Sequence, residues 1–258
     1  MVRAQDFAAY KGEYVDTKRM MVYNDDIDSS VISRDREMTR SKQKGKQNMK
    51  IVFQGDSITD AGRDRRNYHH MGNGYPKYTA AQLTERFPEE TFEFINQGIS
   101  GNRTCQLFDR LYLDAIAFEP DMISVLIGIN DIWHRYGGGR IETTDEQIET
   151  NYRAILTRLK KQTHAKIVML APYLLDCPKV DPMREDLARL LPIVRRLADE
   201  FADAYIPLDQ LFEEAVKVQP EPLYYSADGV HPNANGAAFI GGHLADTFAS
   251  LMAKEEAL

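Results

Sequence analysis

Residues 49–60 read MKIVFQGDSITD, a short apolar segment that gives way at once to glycine, aspartate and serine. Its centre, Ile51–Phe53, has the β-branched and aromatic composition that is typical of a buried strand. Small polar residues directly after such a strand indicate either a turn with a helix cap or a functional group held at the strand end. The segments downstream distinguish these two interpretations.

Apolar segments of the same kind recur along the chain and alternate with segments of helical character. The predicted strands are Ile51–Phe53, Thr91–Ile95, Met122–Ile127, Lys166–Leu170 and Ala204–Ile206. The predicted helices are 75–87, 104–118, 145–161, 184–202, 209–218 and 235–251. Strands that are apolar throughout and alternate with helices are typical of a parallel sheet covered on both faces. We therefore predict a three-layer α/β/α fold around a central parallel sheet of about five strands.

The composition limits the possible partners. The chain has 258 residues, of which 43% are hydrophobic, and a formal net charge of −7. Such a charge provides no overall attraction for nucleic acid or for an anionic membrane. The longest apolar run, residues 122–129, is far shorter than the ~20 residues of a membrane helix, and residues 1–14 lack the pattern of a secretion signal. We expect a cytoplasmic protein without nucleic-acid or membrane partners.

The first 48 residues differ in character from the remainder. Between residues 34 and 50 there are seven Lys or Arg residues against two acidic ones, with almost no apolar side chains. Such a run usually forms a solvated linker, and contact with nucleic acid or an anionic surface is the minor alternative. We predict an N-terminal arm at 1–48, partly basic, before a main domain at 49–258. Aromatic residues earlier in the arm suit docking on the domain or on a second copy in a homo-oligomer.

Polar, glycine-bearing segments follow the predicted strands or precede the last helix at four places. They are residues 55–57, 96–102, 128–134 and 226–233. The carboxyl ends of parallel strands meet at one edge of a sheet, and ligands bind there in open α/β folds. We therefore expect these four segments to converge.

Ser57 is the candidate nucleophile, and it needs a base because a serine hydroxyl attacks poorly while it keeps its proton. Among the six histidines, we select His231, because Asp228 precedes it by three residues in a predicted loop. This spacing allows the carboxylate to accept from Nδ1–H and leaves Nε2 to face Ser57. The residues alone leave open a helix cap at Ser57 and a tight turn at Asp228.

Acyl transfer also needs hydrogen-bond donors aimed at the oxyanion that develops in the transition state. The candidates are the backbone N–H groups of Ser57 and Gly101 and the side-chain amide of Asn130. Glycine lets the backbone approach a ligand closely, and an asparagine amide offers two N–H groups without charge. An ordinary loop glycine and a turn asparagine are the alternatives.

The four segments together resemble the conserved blocks of the SGNH hydrolases, also called GDSL esterases and lipases. The matching residues are Gly55-Asp56-Ser57, Gly98-x-x-Gly101, Gly128-x-Asn130-Asp131 and Asp228-x-x-His231. The resemblance covers about residues 49–252 and implies a flavodoxin-like α/β/α sheet. It also implies a serine esterase with a Ser-His-Asp acyl-enzyme mechanism that needs no metal or other cofactor. It assigns no role to Asp56.

The substrate is less closely defined. Trp133 follows Asn130 by three residues, and His134 adds a polar ring. Aromatic and hydrogen-bonding groups together suit a sugar ring, and a buried packing tryptophan is the alternative. The pattern is similar to the acetylxylan-esterase-like branch of the family, which implies removal of acetyl groups from oligosaccharides. A lysophospholipase, a thioesterase, a broad short-chain esterase and a non-catalytic carbohydrate-binding protein are the alternatives.

Overall fold

A computed structural model describes residues 48–137, 141–221 and 223–256. The five strands form one parallel sheet in the order β2-β1-β3-β4-β5. They are β1 (Met49–Gly55), β2 (Phe92–Gly98), β3 (Met122–Leu126), β4 (Lys166–Leu170) and β5 (Ala204–Ile206). The predicted α/β fold with about five parallel strands is confirmed. The predicted arm, apart from residue 48, lies outside the described residues.

Helices flank the sheet as the outer layers. They are α1 (Ser57–Asp60), α2 (Tyr75–Arg86), α3 (Thr104–Asp114), α4 (Ile129–Tyr136), α5 (Asp145–Gln162), α6 (Arg184–Phe201), α7 (Leu208–Val218) and α8 (Ala234–Glu256). In the part of the chain that the structure describes, two 3-10 helices lie at Ile116–Phe118 and Pro178–Met183. Helix α2 packs against α8, and α5 packs against α3 and α6. No helix within the described ranges has both the length and the apolar composition needed to cross a bilayer.

Two helices replace predicted turns, and one predicted helix is shorter. Helices α1 and α4 occupy the polar segments that follow β1 and β3. The predicted helix 104–118 ends at Asp114, because Ala115 leaves the helical conformation, and a separate 3-10 turn follows. Short helices of this kind depend on tertiary contacts at the sheet edge more than on a sequence period.

The central strands explain how the site is placed. Every residue of β3 is buried, as are the last five residues of β1. Strand β2 lies on one side of β1, and the chain then crosses to β3 on the other side of β1. The direction in which strands are added to the sheet therefore reverses between β1 and β3. Loops diverge at such a point and leave a crevice beyond the carboxyl ends of the strands. Ser57 follows β1 and Asn130 follows β3, so both border this crevice.

Candidate active site

Ser57 is the first residue of α1, which begins directly after β1. The helix cap is Asp56, whose Oδ1 accepts a hydrogen bond from the Ile58 N–H at 3.0 Å. The alternative of a cap at Ser57 is therefore wrong, and the Ser57 hydroxyl is available for another partner. Gly55 permits this sharp turn, since a Cβ there would lie 2.2 Å from Thr59 Oγ1 and 2.4 Å from the Leu126 carbonyl oxygen.

The three residues predicted as nucleophile, base and orienting carboxylate lie in one hydrogen-bonded chain. Ser57 Oγ is 2.8 Å from His231 Nε2, and His231 Nδ1 is 2.7 Å from Asp228 Oδ2. The other carboxylate oxygen of Asp228 accepts from the backbone N–H groups of His231 at 2.8 Å and Val230 at 3.0 Å. Partial burial acts to raise the pKa of Asp228, but the hydrogen bonds from His231 and Val230 outweigh it and hold the pKa below its ordinary value. Such a carboxylate stays ionised beside the imidazole.

Ser226 organises the loop that carries His231. Its Oγ donates to the His231 carbonyl at 2.7 Å and accepts from the Gly229 N–H at 3.0 Å. Gly229 has a φ of +85°, which suits glycine. The segment after β4 also binds this loop. Leu175 N–H donates to the Gly229 carbonyl at 2.8 Å, and the Tyr173 hydroxyl donates to the Val230 carbonyl at 3.1 Å. This role of Ser226 was not predicted, although a serine that precedes an Asp-Gly turn is a recognisable turn signal.

Asn130 lies in the first turn of α4, a helix that was not predicted in the polar segment 128–134. Gly128 caps this helix with a φ of +111°, and the buried side chains of Ile129 and Ile132 fix it to the core. One Nδ2–H of Asn130 donates to the Asn102 carbonyl at 3.1 Å. The amide is thereby oriented, and its second N–H remains for a ligand.

Gly101 lies in the loop after β2 with a φ of +82°. A Cβ at this position would have no heavy atom within 4 Å, so the conformation, rather than space, favours glycine. The loop is fixed at Ser100, whose N–H and hydroxyl both donate to Asp60 Oδ2, at 3.0 and 2.9 Å. Burial acts to raise the pKa of Asp60, but hydrogen bonds from Arg65 and Ser100 lower it below the ordinary value.

The pair Asp131 and His134 has the same three-residue spacing as Asp228 and His231, but its carboxylate has other partners. Asp131 is fully buried and accepts from the backbone N–H and the hydroxyl of Thr104, at 2.9 and 2.8 Å. Burial raises the pKa of Asp131 to about 6, although these hydrogen bonds oppose the rise. Asp131 therefore joins the beginning of α4 to the beginning of α3.

The two predicted substrate contacts have different surroundings. The Trp133 ring lies 5.6 Å from the His231 ring between centroids, at 51°, so it borders the Ser57–His231 pair. The surroundings of His134 differ, because its Nδ1 is buried and has no hydrogen-bond partner among the described residues. Burial and the nearby positive charge of Arg103 lower the pKa of His134. Within the described ranges, no group of three His, Cys, Asp or Glu side chains is arranged to hold a metal ion.

Residues 53–239 match the GDSL-like lipase/acylhydrolase family. The chain belongs to this family. It is 32% identical over 194 residues to an acetylxylan esterase from Geobacillus stearothermophilus, a match that covers 72% of this chain and 88% of that protein. The resemblance inferred from the four sequence blocks is therefore confirmed, and the chain is a carboxylic ester hydrolase.

Solved structures of family members have the same fold. An acetylxylan esterase from Geobacillus stearothermophilus superimposes with a TM-score of 0.70 at 29% identity, covering 78% of this chain and 94% of that one. A protein from Parabacteroides merdae described as a GDSL-like lipase gives a TM-score of 0.70 at 36% identity, covering 76% and 94%. Variants of the Geobacillus esterase in which a serine or a histidine is replaced by alanine are described as catalytic mutants.

Proposed function

We propose that this family member removes acetyl groups from carbohydrate esters through a covalent acyl-enzyme formed on Ser57. The observation that carries the proposal is the continuous hydrogen-bonded chain Ser57–His231–Asp228, with distances of 2.8 and 2.7 Å. These distances lie in the range that a nucleophile, a general base and an orienting carboxylate need. The substrate class comes from relatives described as acetylxylan and acetyl-xylooligosaccharide esterases.

In the first step, Ser57 Oγ attacks the ester carbonyl carbon while His231 Nε2 takes the hydroxyl proton. The carbonyl π bond opens, and its oxygen becomes the oxyanion of a tetrahedral intermediate. Asp228, which is held ionised by its hydrogen bonds, stabilises the imidazolium and fixes the tautomer with Nδ1–H. The oxyanion accepts hydrogen bonds from the Ser57 and Gly101 N–H groups and from the free N–H of Asn130.

The intermediate then collapses, and the C–O bond to the alcohol breaks as His231 donates its proton to the leaving oxygen. In the second half, His231 takes a proton from water, and the resulting hydroxide equivalent attacks the acetyl-serine carbonyl. Collapse of this second intermediate returns that proton to Ser57 and releases acetic acid, which then ionises to acetate. Acylation and deacylation of Ser57 use the same base and the same oxyanion donors, so one set of residues serves both half-reactions.

Trp133 is the proposed wall for the sugar. Its ring stands beside His231, at the position where the alcohol part of the ester leaves. An aromatic face packs against the C–H groups of a sugar ring and needs no charge. Trp133 therefore gives the alcohol side of the site a preference for a flat, partly apolar ring.

The nucleophile is tested with p-nitrophenyl acetate. Ser57→Ala should lower kcat by at least about 10⁴-fold with an unchanged circular dichroism spectrum. The matched control is Ser250→Ala, which removes an exposed hydroxyl from α8 and should retain parental turnover. Wild-type turnover by Ser57→Ala would exclude Ser57 as the nucleophile and with it the proposed mechanism.

The substrate class is tested by comparing acetylated xylo-oligosaccharides with p-nitrophenyl esters of two to eight acyl carbons. A carbohydrate deacetylase should have its highest kcat/KM on the acetylated oligosaccharide and should lose activity steadily as the acyl chain lengthens. A preference for acyl chains of eight carbons, lysophospholipid or acyl thioester would replace the deacetylase by one of those classes.

A further inference from the structure

Arg110 of α3 joins three segments that end near the site. Its Nη2 donates to the Gly55 carbonyl at 2.8 Å, and its Nη1 donates to the Gln97 carbonyl at 2.7 Å, so it ties the ends of β1 and β2 together. Its Nε donates to Asn102 Oδ1 at 2.7 Å. Asp114 balances the charge, with an Nη1 to Oδ2 distance of 2.9 Å. Only 14% of the Arg110 side chain is exposed, so these contacts are largely shielded from water.

Asn102 connects this guanidinium to the proposed oxyanion donors. It follows Gly101 directly in the chain, and its carbonyl oxygen accepts the hydrogen bond from Asn130 Nδ2 at 3.1 Å. Its side chain is bound by Arg110, and its own N–H donates to the Ile99 carbonyl at 3.1 Å. One residue therefore fixes the peptide beside Gly101 and the orientation of the Asn130 amide.

We propose that Arg110 is a positioning residue for ester hydrolysis, which acts through Asn102 to hold the Gly101 N–H and the Asn130 amide in place for the oxyanion. The inference rests on the proposed function of this site. Arg110 touches neither substrate nor reacting atoms. Its effect is geometric, because donors that are displaced by about 1 Å from the oxyanion lose much of their value in the transition state.

The residue type fits this role. A guanidinium is planar and offers five N–H donors in fixed directions, so it can bind two carbonyls, an amide oxygen and a carboxylate at once. A lysine has a single nitrogen at the end of a flexible chain and cannot reach these separate acceptors together. Arg110→Lys therefore keeps the charge beside Asp114 but releases part of the network.

Arg63 provides a matched control for a purely structural role. Arg63 follows α1 and is also buried, with 7% exposure. Its guanidinium contacts the end of β2, where it donates to the Gly98 carbonyl at 2.8 Å and to Gln97 Oε1 at 3.1 Å. It makes no hydrogen bond to Asn102. Variants of Arg63 and of Arg110 both lose a buried guanidinium beside the end of β2. Only the Arg110 variants also lose the hydrogen bond to Asn102.

Asn102→Ala and Arg110→Lys should lower kcat for p-nitrophenyl acetate by about 10- to 100-fold, with KM within about threefold of the parent. Arg63→Lys should keep kcat within about threefold, even where its melting temperature falls as far as that of Arg110→Lys. Asn102→Ala separates the effect on kcat from an effect on folding, because it leaves the hydrogen bonds from Arg110 to the two strands intact. Parental kcat in Asn102→Ala, or an equal loss of kcat in Arg63→Lys, would overturn the proposal.

A double-mutant cycle locates the effect. If Asn102 acts in part by orienting Asn130, Asn102→Ala should lower kcat by a smaller factor in an Asn130→Ala background than in the parent, because interacting residues are not additive. The loss that remains reflects the position of the Gly101 N–H. A full 10- to 100-fold loss in that background would refute action through Asn130. The proposed function fails separately, through wild-type activity of Ser57→Ala. An inactive Ser57→Ala beside a fully active Asn102→Ala would reject the role of Arg110 and retain the esterase mechanism.

Discussion

Asp56, the neighbour of the proposed nucleophile, should make the stability of this protein fall as the pH rises. Its side chain is fully buried. Oδ1 accepts from the Ile58 N–H at 3.0 Å, whereas Oδ2 is buried without a hydrogen-bond partner among the described residues. Burial of this carboxyl raises its pKa from 3.8 to about 7, despite the opposing hydrogen bond from Ile58 and the nearby His231. Asp131, also close, adds to the rise.

The sign follows from proton linkage. The folded state holds the Asp56 proton more tightly than the unfolded chain, so the free energy of unfolding decreases as the pH rises from about 4 through about 7. Between pH 5 and pH 8 this single group should cost about 2–3 kcal/mol of stability. Asp56→Asn keeps an oxygen for the Ile58 N–H but carries no titrating charge. The variant should therefore gain stability relative to the parent by about that amount across the same interval.

Urea unfolding of both proteins at pH 5, 6, 7 and 8 measures this difference. Asp131, whose pKa burial raises to about 6, titrates in both proteins and largely cancels in the comparison. The control is Asp246→Asn, which removes a carboxylate that is 66% exposed and paired with Arg86. This variant should differ from the parent by less than about 1 kcal/mol in every titration, because exposed ion pairs contribute little to stability. An Asp56→Asn difference that is the same at pH 5 and pH 8 would refute the titration of Asp56.

Three further predictions concern the proposed chemistry and the domain boundary. His231→Ala should lower kcat for p-nitrophenyl acetate about as much as loss of the nucleophile, whereas Asp228→Ala should be milder, and equal kcat values in the two variants would contradict the orienting role. Trp133→Ala should raise KM for acetylated xylo-oligosaccharides about tenfold while p-nitrophenyl acetate is little affected; a parallel loss on both esters would indicate a packing role. Deletion of residues 1–48 should leave kcat intact, and a folded but inactive product would place part of the site in the arm.

The strands could be predicted because their apolar centres are continuous, and β4 and β5 have the predicted bounds. The polar ends of β1 and β2 could not be predicted. The first predicted strand ends at Phe53, whereas β1 continues to Gly55. The buried Gln54 is tolerated there because its Nε2 donates to the Asp114 carbonyl at 2.7 Å. Asn96 in β2 is similar, since its Nδ2 donates to the carbonyls of Thr59 at 2.8 Å and Met71 at 3.0 Å. Such partners lie far away in sequence, so polar strand ends look like loops until the fold is known.

The convergence of the four polar segments was predictable, whereas the residues that orient the donors were not. Strand order and parallel direction suffice to bring Ser57 and Asn130 to one edge of the sheet. The contact of Asn130 with the Asn102 carbonyl, and that of Asn102 with Arg110, depend on side-chain directions of separate elements. Helix α4 was missed for a related reason, because glycine and asparagine at its start are common in turns as well as at helix ends.

Two carboxyl groups near the same Ser57–His231 pair have pKa values that their surroundings shift in opposite directions, and this difference separates their roles. Burial acts to raise both pKa values. In Asp228 the hydrogen bonds from His231 and Val230 outweigh burial, whereas in Asp56 the hydrogen bond from Ile58 and the nearby His231 do not. In the proposed mechanism, Asp228 therefore supplies the negative charge that the imidazolium needs. Asp56 caps α1, the helix whose first residue is Ser57. Because the cap hydrogen bond requires only an oxygen acceptor, Asp56→Asn should keep most of the turnover, whereas Asp228→Ala should not.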